Sequence, residues 1–275
     1  MEGENSITNL IHLGVVGKNI SYSQSPRIHT CFAEAEGISL SYTIEEVGSG
    51  SFTEKIKALR TAGFLGCNIT VPFKEEAFAL AHHKTDHAIQ AGAANTFLFK
   101  AGKIFADNTD GIGLIRDLTQ HLNIPLRNKR ILICGAGGAV RGILGPLLAQ
   151  HPETILIANR SLDKAQDLVT NFAAPRLQAL EYTDLATQRF DLLIDGTSLK
   201  TAALPLPDSL QWSQEACVYD LKYGGTSLSP TLAWAKTKNL RAYDGIGMLI
   251  EQAAAAFTVW TGHTPDTKEL REILQ

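Results

Sequence analysis

Short apolar runs alternate with amphipathic helical patterns from the start of the chain up to Asp110. Apolar residues at every second position, or in short continuous runs, indicate strands, whereas apolar positions three or four apart indicate a helix. On this basis strands are predicted at His12–Val16, Ser39–Val47 and Phe64–Thr70. Two further short strands are predicted within Thr96–Phe105, on either side of the turn Ala101-Gly102. Helices are predicted at Arg27–Glu36, Ser51–Thr61 and Lys74–Ala81. These elements predict a first α/β unit that is complete near Asp110.

A second α/β unit is predicted after an amphipathic helix at Gly111–Leu122. From Arg130 onward the pattern reads strand, helix, strand, helix, with later strands at Phe190–Ile194 and Ala216–Leu221. Strands that alternate with helices predict a parallel, doubly wound sheet with right-handed crossovers. A final helix, which the Asp244 carboxylate can cap, carries small and apolar residues at helical spacing and must bury one face.

The composition limits the class of protein. With 275 residues, 44% of them hydrophobic and 19% charged, the chain is long enough for two globular domains. A net charge of −3 argues against a nucleic-acid partner, because phosphate binding needs a clustered basic surface. No apolar run reaches the ~18 residues of a membrane span, and the acidic N-terminus does not resemble a secretory signal. The four cysteines are scattered, which indicates reduced thiols. We therefore expect a cytoplasmic protein without a membrane or nucleic-acid partner.

A glycine-rich turn follows the first strand of the second unit, in the run Ile131-Leu-Ile-Cys-Gly-Ala-Gly-Gly-Ala-Val140. Glycines let the backbone approach a dinucleotide pyrophosphate, and the following helix offers free N–H groups and a partial positive charge. The predicted contacts are Gly135, Ala136, Gly137, Gly138 and Ala139. A tight strand–helix turn without a ligand would give the same pattern. Val140 stands where a third small residue is usual, so less close packing of helix and strand is expected there.

The end of the next strand, in Ile155-Leu-Ile-Ala-Asn-Arg160, predicts which nicotinamide cofactor fits. An NAD-binding chain usually has Asp or Glu there for the ribose 2′-OH, whereas Arg accommodates a 2′-phosphate. Here Asn159 and Arg160 are followed by Ser161, with Lys164 nearby and no carboxylate at the strand end. The sequence therefore predicts NADP(H), with Arg160 as a planar, bidentate partner of the phosphate.

A hydroxyl-rich loop leads from the first strand into the first helix and contains Ser23 and Ser25 followed by Pro26. Ser25 before Pro26 is typical of a helix N-cap, which needs no ligand. Hydroxyls at a helix N-terminus can also hold a small carboxylate. The sequence alone leaves both interpretations open, and taken by itself the loop favours the cap.

A second polar cluster runs from Asn68 through Thr70 to Lys74, with further polar residues at Asn95-Thr96 and at Asp107–Gly111. A lysine after a strand is usually a solvated charge, but a lysine beside a carboxylate can shuttle a proton in alcohol–ketone chemistry without a metal.

The segment His82-His83-Lys-Thr-Asp-His87 is the best candidate for a metal site, because His83 and His87 would share one face of a helix. Two imidazoles without a third ligand do not make a site. We expect no metal there and interpret the segment as a solvated helix end.

Taken together, the motifs resemble those of the shikimate dehydrogenases, which interconvert 3-dehydroshikimate and shikimate. The resemblance covers nearly the whole chain, and its ordered motifs are Ser23-Gln-Ser-Pro26, Asn68-Ile-Thr-Val-Pro-Phe-Lys74, Gly92-Ala-Ala-Asn-Thr96, Asp107-Asn-Thr-Asp-Gly111, Gly135-Ala-Gly-Gly-Ala139, Asn159-Arg160, and Asp244-Gly-Ile-Gly-Met248 with Gln252.

The resemblance implies a substrate-binding and catalytic domain at 1–110 and 246–275, a Rossmann-like NADP domain at 111–245, C-terminal helices that return to the substrate domain, and an active site in the cleft between the domains. It implies that Ser23 and Ser25, helped by Tyr223, hold the substrate carboxylate. Thr70, Asn95 and Gln252 would bind ring hydroxyls, and Lys74 and Asp110 would form the catalytic pair. The implied cofactor residues, besides the glycine-rich turn and the strand end, are Thr197, Leu221 and Gly245.

The chain departs from the family pattern at several positions. Tyr22 replaces a common His, and Leu221 replaces a common Met. Asp195-Gly-Thr-Ser198 stands where the family usually has Asn-Ala-Thr-Ser, and the following loop, Leu199–Leu204, lacks the usual glycine. The last two changes lie near the expected cofactor site, so the contacts to the nicotinamide side are in question.

Two rival functions are an NAD-dependent quinate/shikimate dehydrogenase and a non-catalytic sensor of dinucleotide or shikimate. Arg160 and Ser161 argue against the first, and the retention of Lys74 and Asp110 argues against the second. The family contains both monomers and dimers, which leaves a homodimer open.

Overall fold

The computed structural model describes residues 10–48, 51–199, 201–224 and 227–274. Lys200, within the loop that departs from the family pattern, lies outside the described residues. The described residues fall into two compact units, one within Met1–Ile89, Ala93–Thr109 and Ala253–Gln275, the other within Gln90–Gly92 and Asp110–Gln252.

The first unit contains a mixed six-stranded sheet. Its strands are β1 (Ile11–Gly17), β2 (Leu40–Glu46), β3 (Gly66–Ile69), β4 (His83–Lys84), β5 (Thr96–Lys100) and β6 (Lys103–Asp107), in the order β2-β1-β3-β5-β6-β4. β1 is parallel to β2 and β3, and β4 is parallel to β6, whereas β5 is antiparallel to both its neighbours. The helices at the start of the chain are α1 (Ser25–Ala35), α2 (Phe52–Thr61), α3 (Lys74–Leu80) and α4 (Asp86–Ala91).

The C-terminal residues of the chain complete the core of the first unit. The indole Nε1 of Trp260 donates to the Phe97 carbonyl oxygen at 2.8 Å, and Trp260 packs in a cluster with Leu13 and Val15 of β1. Gly66 allows this approach, because a Cβ there would lie 2.2 Å from the Phe97 oxygen and 2.4 Å from the Trp260 Nε1.

The second unit is built on a fully parallel sheet, as the sequence predicts. Its strands are β7 (Arg130–Cys134), β8 (Thr154–Ala158), β9 (Leu177–Leu180), β10 (Arg189–Asp195), β11 (Gln211–Asp220) and β12 (Arg241–Tyr243), in the order β12-β11-β10-β7-β8-β9. The helices that follow α4 in the chain are α5 (Asp110–Arg116), α6 (Gly138–Ala149), α7 (Leu162–Phe172), α8 (Pro230–Thr237), α9 (Ile246–Thr261) and α10 (Lys268–Leu274).

Both faces of this parallel sheet are buried. Ile131 and Ile133 of β7 pack in one apolar cluster, whereas Leu132 and Cys134 pack in another, and β8 alternates in the same way. A strand buried on both faces has a continuous apolar sequence, which explains the runs in β7 and β8.

All four cysteines of the chain are free thiols, and burial raises the pKa of Cys217 to about 11.

The structure corrects the helix predicted at Gly111–Leu122. The α-helical part begins at Asp110 and ends at Arg116, and a π-helical turn covers Asp117–His121. In that turn the buried Asp117 accepts a hydrogen bond from the Tyr219 hydroxyl at 2.5 Å. This contact joins residues that are far apart in the sequence, so the local pattern of apolar positions cannot predict it.

The prediction that His83 and His87 share one helix face is wrong, whereas the segment is solvated as expected, because both histidines are exposed. His83 lies in β4, where its ring stacks on Phe105 at 4.5 Å, and His87 lies in α4. A strand of two residues is too short to give a periodic signal. Among the described residues, no group of three or more His, Cys, Asp or Glu is placed to hold a metal ion.

The last predicted helix is confirmed as α9, and the Asp244 carboxylate accepts from the Ile246 N–H at 3.1 Å. The two units divide within this helix, between residues 252 and 253, rather than at residue 246. None of the helices in the described part of the chain has both the length and the apolar character needed to cross a membrane.

Candidate active site

The first unit collects polar side chains at one edge of its sheet. β1, β3 and β6 end at this edge, and β5 begins there, because β5 is antiparallel to its neighbours. Ser23 and Ser25 follow β1, Thr70 follows β3, Asn95 precedes β5 and Thr109 follows β6. Residues far apart in the sequence therefore meet at one end of the sheet.

The serine loop places two hydroxyls together at the start of α1. The Ser23 Oγ lies 3.2 Å from the Ser25 Oγ and accepts from the Ser25 N–H at 3.3 Å. Ser25 is the first residue of the helix and is buried, whereas Gln24, with helical backbone angles, occupies the N-cap position. The N-cap is thus Gln24, whose side chain makes no capping hydrogen bond, and the interpretation of Ser25 as the N-cap is wrong.

Thr70 lies directly against the end of β1. Its N–H donates to the Val16 carbonyl oxygen at 2.9 Å. A Cβ on Gly17 would lie 2.6 Å from the Thr70 Cγ2, so only glycine fits beside this threonine.

Lys74 is the first residue of α3 and is half-buried. Its carbonyl oxygen accepts from the Ala94 N–H at 2.8 Å. The backbone of Lys74 is thereby held beside the residue that precedes Asn95.

The Asn95 side chain is buried and bound to its neighbours. Its Nδ2 donates to the Thr109 hydroxyl at 2.9 Å, and its Oδ1 accepts from the Thr109 N–H at 2.9 Å and from the Thr96 hydroxyl at 2.9 Å. Asp110 follows Thr109 directly in the chain. Asn95 therefore anchors the segment that leads into Asp110.

Asn68, which belongs to the motif Asn68–Lys74 but not to the predicted site residues, is the centre of a hydrogen-bond network at this edge. Its Oδ1 accepts from the Tyr42 hydroxyl at 2.7 Å and lies 3.2 Å from the His29 Nε2. Its Nδ2 donates to the Asn95 carbonyl oxygen and the Thr96 hydroxyl, both at 3.2 Å. The signal was present in the sequence, because a buried amide within an apolar strand requires partners.

Burial lowers the pKa of His29 to about 3, against the weaker opposing effect of its hydrogen bond with Asn68. The ring is fully buried and stacks on Tyr42 with 4.4 Å between ring centroids. His29 is therefore neutral at physiological pH, and its Nε2 carries the proton that faces the Asn68 Oδ1.

In the second unit, the glycine-rich turn fits a pyrophosphate. Gly135 has a φ of +106°, and a Cβ there would lie 2.9 Å from the Gly196 carbonyl carbon. Gly137 is the N-cap of α6, and a Cβ on it would meet nothing within 4 Å. The first turn of α6, which includes Gly138 and Ala139, carries no acidic residue. Open backbone at a helix N-terminus without a carboxylate is suited to an anion.

The end of β8 fits a phosphate on the adenosine ribose. Arg160, Ser161 and Lys164 are exposed, and the Asn159 Nδ2 donates to the Ser161 carbonyl oxygen at 2.9 Å. Arg160 precedes the N-cap of α7 and Lys164 lies in the first turn of that helix, in the βαβ unit that also contains the glycine-rich turn. The geometry thus allows the predicted role of Arg160.

The remaining predicted cofactor residues lie together at the carboxyl ends of β10 and β11. A Cβ on Gly245 would lie 2.3 Å from the Leu221 carbonyl oxygen, and the Leu221 N–H donates to the Asp195 carbonyl oxygen at 2.9 Å. Thr197 follows two residues after Asp195 and donates its hydroxyl to the Asp195 carboxylate at 2.7 Å.

The other predicted substrate residues belong to the second unit. Asp110 is buried at the start of α5, and Tyr223 is half-buried two residues after Leu221. The Gln252 Nε2 donates to the Leu249 carbonyl oxygen at 3.2 Å. A Cβ on Gly113 would lie 2.7 Å from the Gln252 Cβ, so α9 packs closely on the helix that Asp110 begins.

Three family models match the chain in succession. The model described as the shikimate dehydrogenase substrate binding domain matches residues 15–97, that of shikimate / quinate 5-dehydrogenase matches residues 117–212, and that of the shikimate 5'-dehydrogenase C-terminal domain matches residues 245–275.

Curated relatives named shikimate dehydrogenase (NADP(+)) match along almost the full chain. The protein from Colwellia psychrerythraea is 43% identical over 264 residues, which covers 95% of both chains. The protein from Aromatoleum aromaticum is 45% identical over 260 residues, which covers 92% of both chains.

Solved structures agree with these relatives. An Ael1 enzyme from Pseudomonas putida matches with a TM-score of 0.89 and 41% identity, covering 96% of this chain and 98% of the other. Shikimate 5-dehydrogenase from Thermus thermophilus, solved in complex with NADP(H) and shikimate, matches with a TM-score of 0.84 and 31% identity, covering 95% and 97%. The motifs, the folds of the two units and these matches agree, and the chain belongs to the shikimate dehydrogenase family.

Proposed function

We propose that this chain catalyses the reversible, NADP(H)-dependent reduction of 3-dehydroshikimate to shikimate. The observation that carries the proposal is the cluster of Ser23, Ser25, Thr70 and Asn95 at one sheet edge, in the same unit as Lys74. The relatives named shikimate dehydrogenase (NADP(+)), at 43% identity over 95% of the chain, support this substrate and cofactor.

The substrate carboxylate is assigned to the paired hydroxyls of Ser23 and Ser25, with Tyr223 as a further donor. Both serines lie at the N-terminus of the 11-residue helix α1, where the helix dipole favours a negative charge. Thr70, Asn95 and Gln252 are assigned to the ring hydroxyls. A polar side chain that binds a substrate hydroxyl discriminates strongly against analogues without that hydroxyl.

Lys74 and Asp110 are assigned to proton transfer. NADPH, when bound, supplies a hydride to the ketone carbon. Lys74 donates a hydrogen bond to the oxygen on which charge develops and delivers its proton, which completes the alcohol. The Asp110 carboxylate is assigned the role of orienting Lys74. In the direction of shikimate oxidation, Lys74 accepts the hydroxyl proton.

The cofactor is assigned to the second unit. The turn Gly135–Ala139 takes the pyrophosphate, and Arg160, with Asn159, Ser161 and Lys164, takes the 2′-phosphate. The guanidinium of Arg160 suits bidentate phosphate binding, and Lys164 adds a point charge.

The test is the reduction of NADP⁺ by purified protein with shikimate, followed at the NADPH absorbance band, with NAD⁺ and quinate in parallel. We expect turnover only when shikimate is combined with NADP⁺, and not with NAD⁺ or quinate. Efficient use of NAD⁺ or quinate would instead assign the chain to the quinate/shikimate enzymes, and saturable binding without turnover would assign it to the sensors. Size-exclusion chromatography with light scattering distinguishes a monomer from the homodimer that the sequence leaves open.

A further inference from the structure

Two buried carboxylates and one lysine form an ion triad at the carboxyl ends of β10 and β11. Asp195 and Asp220 are the last residues of these strands, and both are 0% exposed. The Lys222 Nζ lies 2.7 Å from the Asp195 Oδ2 and 2.8 Å from the Asp220 Oδ1. Two carboxylates buried this close together need a cation between them, because each charge loses its hydration.

Lys222 supplies that cation. Burial tends to lower the pKa of Lys222, but the hydrogen bonds and charges of Asp195 and Asp220 outweigh burial and hold the pKa above its ordinary value. The Nζ also donates to the Thr197 carbonyl oxygen at 3.3 Å. Each of the three ammonium protons therefore has an acceptor.

Two hydroxyls from the start of α8 complete the triad. The Thr231 hydroxyl donates to the Asp195 Oδ2 at 2.6 Å, and the Ser229 hydroxyl donates to the Asp220 Oδ2 at 2.5 Å. Since Ser229 is also the N-cap of α8, the triad is tied to a helix as well as to two strands.

The triad holds three of the predicted cofactor residues. The Thr197 N–H and hydroxyl both donate to the Asp195 Oδ1, at 2.9 and 2.7 Å. Leu221 lies between Asp220 and Lys222 in the chain, and the Gly245 N–H donates to the Lys222 carbonyl oxygen at 3.0 Å. A movement of Lys222 would therefore displace Thr197, Leu221 and Gly245 together.

The strand order assigns these three residues to one half of a dinucleotide. The turn for the pyrophosphate follows β7, and Arg160 follows β8, on one side of β7. β10 and β11 lie on the other side. In a doubly wound sheet the dinucleotide lies across the point where the strand order reverses. The adenosine half then lies over β8, and the nicotinamide half over β10 and β11.

We propose that Asp195, Lys222 and Asp220 form an ion-paired support that positions Thr197, Leu221 and Gly245 against the nicotinamide half of NADP(H). The inference rests on the proposed function, since it assumes that the second unit binds this dinucleotide. In this arrangement Asp195, which stands where the family usually has Asn, has a structural role as an acceptor for Lys222 and Thr197. None of the three triad residues is a catalytic residue, and each acts through the loops that it holds.

The test compares two probes, NADP⁺ and 2′,5′-ADP, which contains only the adenosine half of the cofactor. Their dissociation constants are measured by titration calorimetry on the wild type, Lys222→Met, Asp195→Asn and the double variant. Lys222→Met leaves two buried carboxylates without a cation, and the double variant returns the net charge of the triad to its original value. Lys238→Met, which removes an exposed lysine of the second unit, is the matched control.

Lys222→Met is expected to weaken NADP⁺ binding about tenfold while 2′,5′-ADP binding changes less than about twofold, a coupling typical of one ion network. Asp195→Asn alone should weaken NADP⁺ binding by about threefold, and in the Lys222→Met background the same substitution should restore most of the lost affinity. Such a reversal would not arise from two independent structural defects. If Lys222→Met does not fold, the Asp195→Asn variant decides the question by the same two probes.

Equal weakening of both probes, unchanged NADP⁺ binding in Lys222→Met, or an additive loss in the double variant would overturn the proposal. Where Lys222→Met does not fold, wild-type NADP⁺ binding by Asp195→Asn would overturn it too. A wild type that binds 2′,5′-ADP and NADP⁺ but shows no turnover contradicts the proposed function and leaves the positioning role standing. A wild type that binds neither probe overturns both.

Discussion

The Asn95 side chain holds Thr109 through two hydrogen bonds, from its Nδ2 to the Thr109 Oγ1 and from the Thr109 N–H to its Oδ1, each 2.9 Å long. The residue before Asn95 donates its N–H to the Lys74 carbonyl oxygen at 2.8 Å. The backbone at Lys74 and the residue that precedes Asp110 are therefore connected through one short segment. A proton-transfer pair needs this kind of support, because small displacements of catalytic groups are costly.

Lys74→Ala is expected to lower kcat for shikimate oxidation by about 10²–10⁴, the contribution of a positioned acid–base group. Substrate affinity should change less, because the hydroxyl and amide side chains that bind the ring remain. Initial rates with shikimate and NADP⁺ measure both parameters. Lys100→Ala, at an exposed position in the same unit, is the control. Turnover near that of the wild type in Lys74→Ala would remove Lys74 from the mechanism.

Arg160→Ala is expected to raise KM for NADP⁺ by at least about tenfold, since a charge-assisted bidentate pair is lost. The KM for NAD⁺ should stay nearly constant, because NAD⁺ has no 2′-phosphate. Arg127→Ala removes another exposed arginine of the second unit and should leave both constants unchanged. A similar rise in both KM values would show that Arg160 does not recognise the 2′-phosphate.

Much of the fold follows from hydrophobic pattern, but its shortest elements do not. β7 and β8 are buried on both faces and give continuous apolar runs, so the parallel sheet of the second unit is predictable. β4 has two residues and β12 has three, which is too few for any period to be recognised. In the π-helical turn, Asp117 accepts a hydrogen bond from Tyr219, which is distant in the sequence and so leaves no local signal.

The candidate site, like the fold, is only partly predictable from the sequence. The glycine-rich turn and the strand end at Arg160 are local signals with a known chemical meaning, so the sequence alone predicts a dinucleotide. The serine loop is ambiguous from the sequence, because a cap and a carboxylate site use the same residue types. The ion triad around Lys222 is invisible in the sequence, since its partners come from different strands and meet only in the folded sheet.

Gly196→Ala is expected to destabilise the second unit by about 1–3 kcal/mol, the usual cost of overpacking a core. A Cβ on Gly196 would lie 2.5 Å from the Cγ2 of the buried Val140. Val140 is the residue that replaces the usual third small residue of the turn, and Gly196 leaves room for it. Urea unfolding measures the loss.

The double variant Val140→Ala/Gly196→Ala tests whether this contact is the cause. The double variant should be less destabilised than the sum of the two single changes, because one change removes the clash that the other creates. Gly137→Ala, at a φ of −88° with open space around it, is the control and should unfold like the wild type. Simple additivity would mean that Gly196 is needed for another reason.

His29 is expected to make stability fall with decreasing pH. Its folded-state pKa is lowered to about 3, whereas the unfolded chain binds a proton near pH 6.5. Between these values the unfolded state holds the additional proton, so the free energy of unfolding decreases as the pH falls. From near pH 7 to near pH 5 the contribution of His29 amounts to about 2 kcal/mol.

The measurement is urea unfolding of the wild type and His29→Phe near both pH values. Phenylalanine keeps a ring against Tyr42 but cannot titrate, so the variant should lose about 2 kcal/mol less than the wild type over this interval. His151→Asn replaces an exposed histidine whose φ of +55° asparagine tolerates, and it should keep the pH dependence of the wild type. Parallel pH profiles for the wild type and His29→Phe would mean that the buried ring takes up its proton in the folded state. In that case the network of His29, Tyr42 and Asn68 would have to rearrange to hold a charge.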